Sequence, residues 1–146
     1  MNILLLGSTG QLGHELARQL PSLGRIFAFS RTELDITDHQ AVADVISNNA
    51  PDVIINAAAY TAVDKAESAQ ALAYAVNSDG VAHLAKLAEQ VNAWLIHYST
   101  DYVFDGLKQA PYVETDTTSP INIYGASKLA GEHAIGHVDC RHLIFR

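Results

Sequence analysis

The sequence predicts an α/β fold, an open and doubly wound parallel sheet with helices on both faces. Three observations predict it. Short apolar runs alternate with helical stretches along the whole chain. The runs are apolar throughout, as strands buried on both faces are. The first run, Ile3-Leu4-Leu5-Leu6, passes straight into a glycine-rich turn that opens a helix.

The elements follow in order. Ile3 to Leu6 is the first strand, and a helix from about Gln11 to Leu20 ends at Pro21. Arg25 to Phe29 is the second strand. Thr37-Asp38 starts a helix that runs through Val42, Val45 and Ile46 to Asn48-Asn49. After Pro51, Val53-Ile54-Ile55 is the third strand. Two Ala-rich helices, about Val63–Val76 and Ser78–Asn92, each space Ala, Leu and Val for one buried face. Trp94-Leu95-Ile96 begins the fourth strand. Residues 103–119 are irregular, and Ser119-Pro120 reads as N-cap and first residue of a helix that runs to about Gly136. Leu143-Ile144-Phe145 is the last strand.

A chain of 146 residues, 49% hydrophobic and 17% charged, is one globular domain, residues 1–146. Its net charge of −7 argues against nucleic acid or an anionic membrane as partner, since both need clustered Lys and Arg. Cys140 is the single cysteine, so no internal disulfide forms, and a cytoplasmic setting fits. No run approaches the ~18 apolar residues of a membrane span. The start lacks a basic segment, and Gly7 cuts the first apolar run, so it opens a domain and is not a signal peptide. The chain stops at Arg146, directly after a strand with no helix to cover it. That predicts a piece of a longer protein.

Gly7-Ser8-Thr9-Gly10-Gln11-Leu12-Gly13 has the position a dinucleotide site needs, between a strand and a helix. Gly7 permits the tight turn, Gly10 lets a pyrophosphate approach the backbone, and Gly13 lets helix and strand pack closely. The free amides of the helix start face the phosphates. The spacing is G-x-x-G-x-x-G, not the general G-x-G-x-x-G. The fold is thus a Rossmann-like NAD(P)-binding domain. An NAD site usually carries an acidic residue after the second strand, for the ribose hydroxyls. Here Phe29-Ser30-Arg31 offers Arg31 to a 2′-phosphate, which points to NADPH, with NADH as the second possibility. Asp35, slightly later, stands on the adenosine side. Asn56-Ala57-Ala58-Ala59 ends the third strand with side chains small enough to leave room for ribose and nicotinamide.

Tyr124 and Lys128 are four residues apart, about one helical turn, and so share a face. A phenol titrates near ~10 and is a poor acid at neutral pH. A lysine cation close by is expected to pull that value down. The Thr100 hydroxyl can hydrogen-bond the same substrate oxygen. Together these groups give a proton to a carbonyl oxygen while hydride reaches its carbon.

Several blocks carry a resemblance over nearly the whole chain. They are Gly7–Gly13, Glu33-Leu34-Asp35-Ile36-Thr37-Asp38, Pro51 through Ala-Ala-Ala-Tyr-Thr-Ala-Val-Asp-Lys-Ala-Glu67, Ser99-Thr100-Asp101-Tyr102-Val103-Phe104-Asp105-Gly106 and Pro120–Gly125. The chain resembles the extended short-chain dehydrogenase/reductases and, among them, the dTDP-4-dehydrorhamnose reductase family. The resemblance implies reduction of the 4-keto group of dTDP-4-dehydro-L-rhamnose by NAD(P)H, the last step of dTDP-rhamnose biosynthesis. It implies that Tyr124 donates the proton and that Lys128 holds the nicotinamide ribose and tunes the tyrosine. Thr100 takes the usual serine place, and Asp101 touches the sugar. Gly10, Gln11 and Leu12 meet the pyrophosphate, Asp35 and Ile36 flank the adenosine, and Ala59, Tyr60 and Thr61 lie on the ribose side. Some members bind Mg²⁺ at a dimer interface, so Mg²⁺ and a homodimer belong to the expectation, with no metal ligand assignable. Family members continue past the strand where this chain stops. The cofactor residues are therefore expected here and most of the nucleotide-sugar pocket elsewhere, with little turnover by the 146 residues alone.

Two rivals share the fold: a cofactor-binding regulatory subunit without turnover, and a nucleotide-sugar epimerase. Intact Tyr124, Lys128 and Thr100 argue against the first, and Arg31 against the second. His133 and His137, four apart, lack a third zinc ligand and read as surface residues. His97 reads as packed, Glu114 and Asp116 as a solvated turn, Cys140 as packing near a strand, and Asn77 and Gly80 as braces without chemistry.

Overall fold

Strand β1 (Asn2–Leu6) sends its side chains alternately into two buried layers. Ile3 and Leu5 join Leu20 and Ile55 on one face; Leu4 and Leu6 join Val42, Ile46, Leu84 and Leu95 on the other. Each such residue, taken fully out of water, contributes about 1.5–3 kcal/mol. The computed structural model, which describes residues 1–146, places β1 inside a five-stranded parallel sheet. Its other strands are β2 (Arg25–Phe29), β3 (Val53–Asn56), β4 (Trp94–Tyr98) and β5 (Arg141–Phe145), in the order β2-β1-β3-β4-β5. The register pairs Leu6 with Asn56, Asn56 with His97, and Tyr98 with Phe145, so the C-terminal ends of the four strands lie level.

The chain leaves β1 outward to β2 and returns across it to β3. Strand order therefore reverses between β1 and β3. In open α/β sheets a ligand crevice forms at that point, outside the C-terminal strand ends.

Helix α1 (Gln11–Gln19) lies over the Ile3–Leu5 face through Leu16 and Ala17, and a 3₁₀ turn at Leu20–Ser22 takes up Pro21. Helices α2 (His39–Asn49), α5 (Gly80–Gln90) and α6 (Ile123–Gly136) bury Val42 and Ile46, Leu84 and Ala88, and Ile135 against the other face. Asp38 caps α2, its carboxylate accepting from the Ala41 amide at 3.0 Å, as expected of Thr37-Asp38. Leu143 and Phe145 on β5 are each half exposed.

Two helix boundaries differ from expectation. The Ala-rich region is not two helices meeting near residue 77. A short α3 (Val63–Ala66) stops before 67–69, and α4 (Gln70–Tyr74) then runs into α5 through one π-helical turn, Ala75–Asp79. That turn buries Asn77, which is bonded on both sides (below). The last helix starts at Ile123, not Pro120. Asn122 is its cap, accepting from the Gly125 amide at 2.7 Å. The Ser119 amide is instead committed to the Val103 carbonyl at 2.9 Å, which docks the loop on the 3₁₀ turn Asp101–Val103 after β4.

Candidate active site

The glycine turn has the geometry its sequence requires. Gly7 has φ of +78°, and a side chain there would lie 2.6 Å from the Ala58 nitrogen. A Cβ at Gly13 would overlap the Gly7 carbonyl oxygen, so α1 closes on the strand end only with glycine. Gly10 differs. Its Cβ would meet nothing closer than 3.4 Å, an ordinary contact, so the protein's own packing does not demand glycine there. Its backbone lies open in the wall of the cleft. Gly10 also occupies the cap position of α1 and supplies no side-chain bond, which leaves the helix-start amides for an anion.

The turn opens on a cleft of about 320 Å³. Of the predicted cofactor residues, Gly7, Gly10, Arg31, Asp35, Ile36, Ala57, Ala58, Ala59, Tyr60 and Thr61 line it. Gln11, Leu12 and Gly13 sit at the α1 start beside it, and Tyr124 and Lys128 lie on α6 outside its lining. Thr9, Leu34, Ala62 and Val76 also line the cleft and were missed. Each is next to, or within the same block as, a predicted residue except Val76, whose place depends on the π turn.

Arg31 is exposed at the cleft edge, and its Nε donates to Asp35 Oδ2 at 3.2 Å. The Asp35 carboxylate also accepts from the Thr37 amide at 2.9 Å and its hydroxyl at 2.7 Å. Those bonds, with the smaller influence of Arg31, hold it below the usual carboxylate value. Glu33 shapes the same loop. Its Oε2 accepts from the Ser30 amide at 2.8 Å and the Ser30 hydroxyl at 2.7 Å, which keeps the carboxyl acidic. Ser30-x-x-Glu33 is the spacing of a capping box, a signal that was available in the sequence.

Tyr124 is 9% exposed and sits among Thr100, Asp101 and Tyr102. A Cβ at Gly125 would overlap the Tyr102 carbonyl oxygen, so this glycine lets α6 rest on the turn that carries Thr100 and Asp101. Burial raises the phenol above its ordinary value; a hydrogen bond with Thr100 pulls the other way, and Asp101 adds to the rise. The expected lowering by Lys128 is corrected here. Lys128 is 1% exposed, and its Nζ donates to the Tyr98 carbonyl at 2.6 Å and lies 3.4 Å from His97 Nε2. The ammonium is docked on β4, and no hydrogen bond joins it to the phenol. Burial pushes Lys128 down to about 8, while Glu132 works against that fall.

His97 is fully buried, as expected, with Nδ1 3.1 Å from Asn56 Nδ2. Burial, then the Lys128 charge, depress it to about 3, so it is neutral. Asn56 Oδ1 accepts from the Ala58 amide in the cleft wall at 3.1 Å. Asn77 bridges the two halves of the site. Its Oδ1 accepts from the Tyr60 amide at 2.9 Å, and its Nδ2 donates to the Tyr60 carbonyl and to Ser127 Oγ, each at 3.0 Å. It is a brace, but one between the cleft wall and α6 and not between a helix and the strands.

His133 and His137 are exposed, and no group of three or more His, Cys, Asp or Glu side chains converges to hold a metal ion. Asp116 pairs with Lys108 and accepts from the Val113 amide, an exposed turn as expected. Cys140 is buried, which raises its thiol. No helix is long and apolar enough to cross a membrane.

Residues 1–146 match the family described as RmlD substrate binding domain. A dTDP-4-dehydrorhamnose reductase of Escherichia coli K12 is 50% identical over 150 residues, covering 100% of this chain and 50% of the relative. One from Burkholderia thailandensis is 49% identical over 146 residues, covering 100% and 49%. The chain thus spans about half the length of these curated relatives. The crystal structure of a dTDP-4-dehydrorhamnose reductase from Bacillus anthracis in complex with NADP superposes with a TM-score of 0.95. It is 40% identical, covering 98% of this chain and 51% of that one.

Proposed function

The chain belongs to the RmlD substrate binding domain family, and from that premise we propose that residues 1–146 form the NADPH-binding and proton-donating unit of a dTDP-4-dehydrorhamnose reductase. The reaction is reduction of the 4-keto group of dTDP-4-dehydro-L-rhamnose to dTDP-L-rhamnose. One observation carries the reading: Asn77 ties Tyr60, in the wall of the glycine-turn cleft, to Ser127 on the helix that presents Tyr124. A cofactor site and an acid are thereby held in one frame.

The amides at the start of α1 and the bare Gly10 backbone hold the pyrophosphate. Arg31 leaves Asp35 to meet a 2′-phosphate, which favours NADPH over NADH. Ala57 to Thr61 give the ribose and nicotinamide room. When bound, the cofactor supplies hydride to the 4-carbon. Tyr124, kept protonated by burial, gives its proton to the 4-oxygen, and Thr100 hydrogen-bonds that oxygen. Lys128, one helical turn along α6, offers a remaining ammonium N–H to the nicotinamide ribose. Asp101, exposed beside Thr100, is the sugar contact.

A chimera tests this. The chain replaces the matched half of the E. coli relative, and NADPH oxidation is followed with dTDP-4-dehydro-L-rhamnose. Reduction is expected, and Tyr124→Phe should slow it by about 10²–10⁴-fold, the range of general acid catalysis. A chimera that folds and binds NADPH yet does not reduce the sugar, or is indifferent to Tyr124→Phe, contradicts the proposal.

A further inference from the structure

Glu132 is a carboxylate buried to 6% exposure, on α6 four residues after Lys128 and eight after Tyr124. It joins three elements. Its Oε1 accepts from the hydroxyl of Ser99, the residue directly before Thr100 at the end of β4. Both its oxygens accept from Arg146, just past β5, with Nη2 at 2.6 Å and Nε at 3.1 Å. The guanidinium lies over the Phe104 ring at 5.3 Å, and the Ser99 amide donates to the Phe145 carbonyl at 2.6 Å. A buried carboxylate is costly unless its lone pairs are filled, and here they are.

We propose that Glu132 is a positioning residue for the proton-donating group: it anchors the Ser99-Thr100 segment to the helix of Tyr124 and sets its carboxylate one helical turn from Lys128. This rests on the reading of Tyr124, Thr100 and Lys128 given above. The groups around Lys128 are His97 and the Tyr98 carbonyl from β4, and Tyr124 and Glu132 from its own helix. Behind Glu132 stand Arg146 and, beyond it, Glu114 of the irregular loop. His97 is neutral, so Glu132 is the anion that opposes the desolvation of Lys128. Without it the ammonium keeps the Tyr98 carbonyl and loses the negative charge one turn along its own helix.

The test follows the Lys128 ¹³Cε signal through a pH titration of the chain with labelled lysine. Lys128 is the one buried lysine of four, so its signal stands apart. In Glu132→Gln its midpoint should fall below that of the unsubstituted protein, since the charge is lost and the shape kept. A residue that merely packs the helix would, on removal, admit water and raise the midpoint toward the other lysines. A raised or unchanged midpoint therefore overturns the proposal. If Glu132→Gln does not fold, Arg146→Gln decides. It removes the cation behind Glu132 and should raise the midpoint while the amide spectrum around Lys128 stays the same; no rise overturns the proposal. NADPH binding by the unsubstituted chain is measured alongside. Its absence would count against the proposed function and leave the titration result standing.

Discussion

Lys128 and Tyr98 form a short hydrogen bond between α6 and β4: the buried ammonium donates to the β4 carbonyl at 2.6 Å. The lysine is thus docked before any ligand arrives, at the cost of burying a charge. Methionine, similar in length and apolar, keeps the packing but leaves the Tyr98 carbonyl without this donor, a cost of about 1–3 kcal/mol. Lys128→Met should therefore lower the thermal midpoint. It should also weaken NADPH binding by about tenfold or more, since a hydrogen bond to a charged group is worth roughly 1.5–3 kcal/mol. Thermal melts with and without cofactor check both halves.

Arg31 and Asp35 are paired at the cleft edge at 3.2 Å. Both are substantially exposed, so the pair itself adds little to stability. Arg31→Ala should therefore leave the fold untouched. It should weaken NADPH by roughly 10–100-fold, the worth of a charge-assisted bond, and change NADH little. Dissociation constants for the two cofactors, measured side by side, decide whether Arg31 reads the 2′-phosphate.

The glycine turn separates folding from binding. Gly13→Ala drives a methyl into the Gly7 carbonyl oxygen, where backbone meets backbone and little can yield. A loss of about 3 kcal/mol is expected, at the upper end of overpacking costs. Gly10→Ala meets only an ordinary contact at 3.4 Å. Its stability should stay within about 1 kcal/mol of the original, while NADPH affinity drops. Urea melts and cofactor titrations of the pair check this. Equal stabilities would refute the packing account of Gly13.

His97 carries the acid sensitivity. Its value falls from the ordinary 6.5 to about 3 in the fold. The unfolded chain therefore binds the extra proton first. The stability contribution of His97 is complete above pH 6.5 and is lost progressively as pH falls toward 3. At about 1.4 kcal/mol per unit, acidification from pH 6.5 to pH 5 removes roughly 2 kcal/mol. His97→Asn should lose much less over that interval, apart from the smaller share of His83, whose value burial also lowers. Denaturation curves at the two pH values measure the difference.

The five strands stand where their apolar runs place them, although only β1 and β3 are buried on both faces and the edge strands β2 and β5 are partly exposed. The glycine turn was equally legible, since its three glycines answer to backbone geometry within seven residues. What the sequence hid depends on distant partners. Ser119-Pro120 and Asn122 are both acceptable helix starts by local rules, and docking against Val103 chose between them. The π turn exists where Asn77 reaches Tyr60 on one side and Ser127 on the other, 17 and 50 residues away. Lys128 looked like the tuner of Tyr124 because one helical turn separates them. Its actual partner is a carbonyl 30 residues upstream.

The central claim is that the Gly7–Gly13 turn and its cleft hold NADPH. Calorimetric titration of the 146-residue chain tests it most directly. One saturable site per chain is predicted, tighter for NADPH than for NADH, and weakened by Gly10→Ala in a protein that remains folded. A folded chain that takes up no NADPH, or binds it equally well after Gly10→Ala and Arg31→Ala, would contradict the claim.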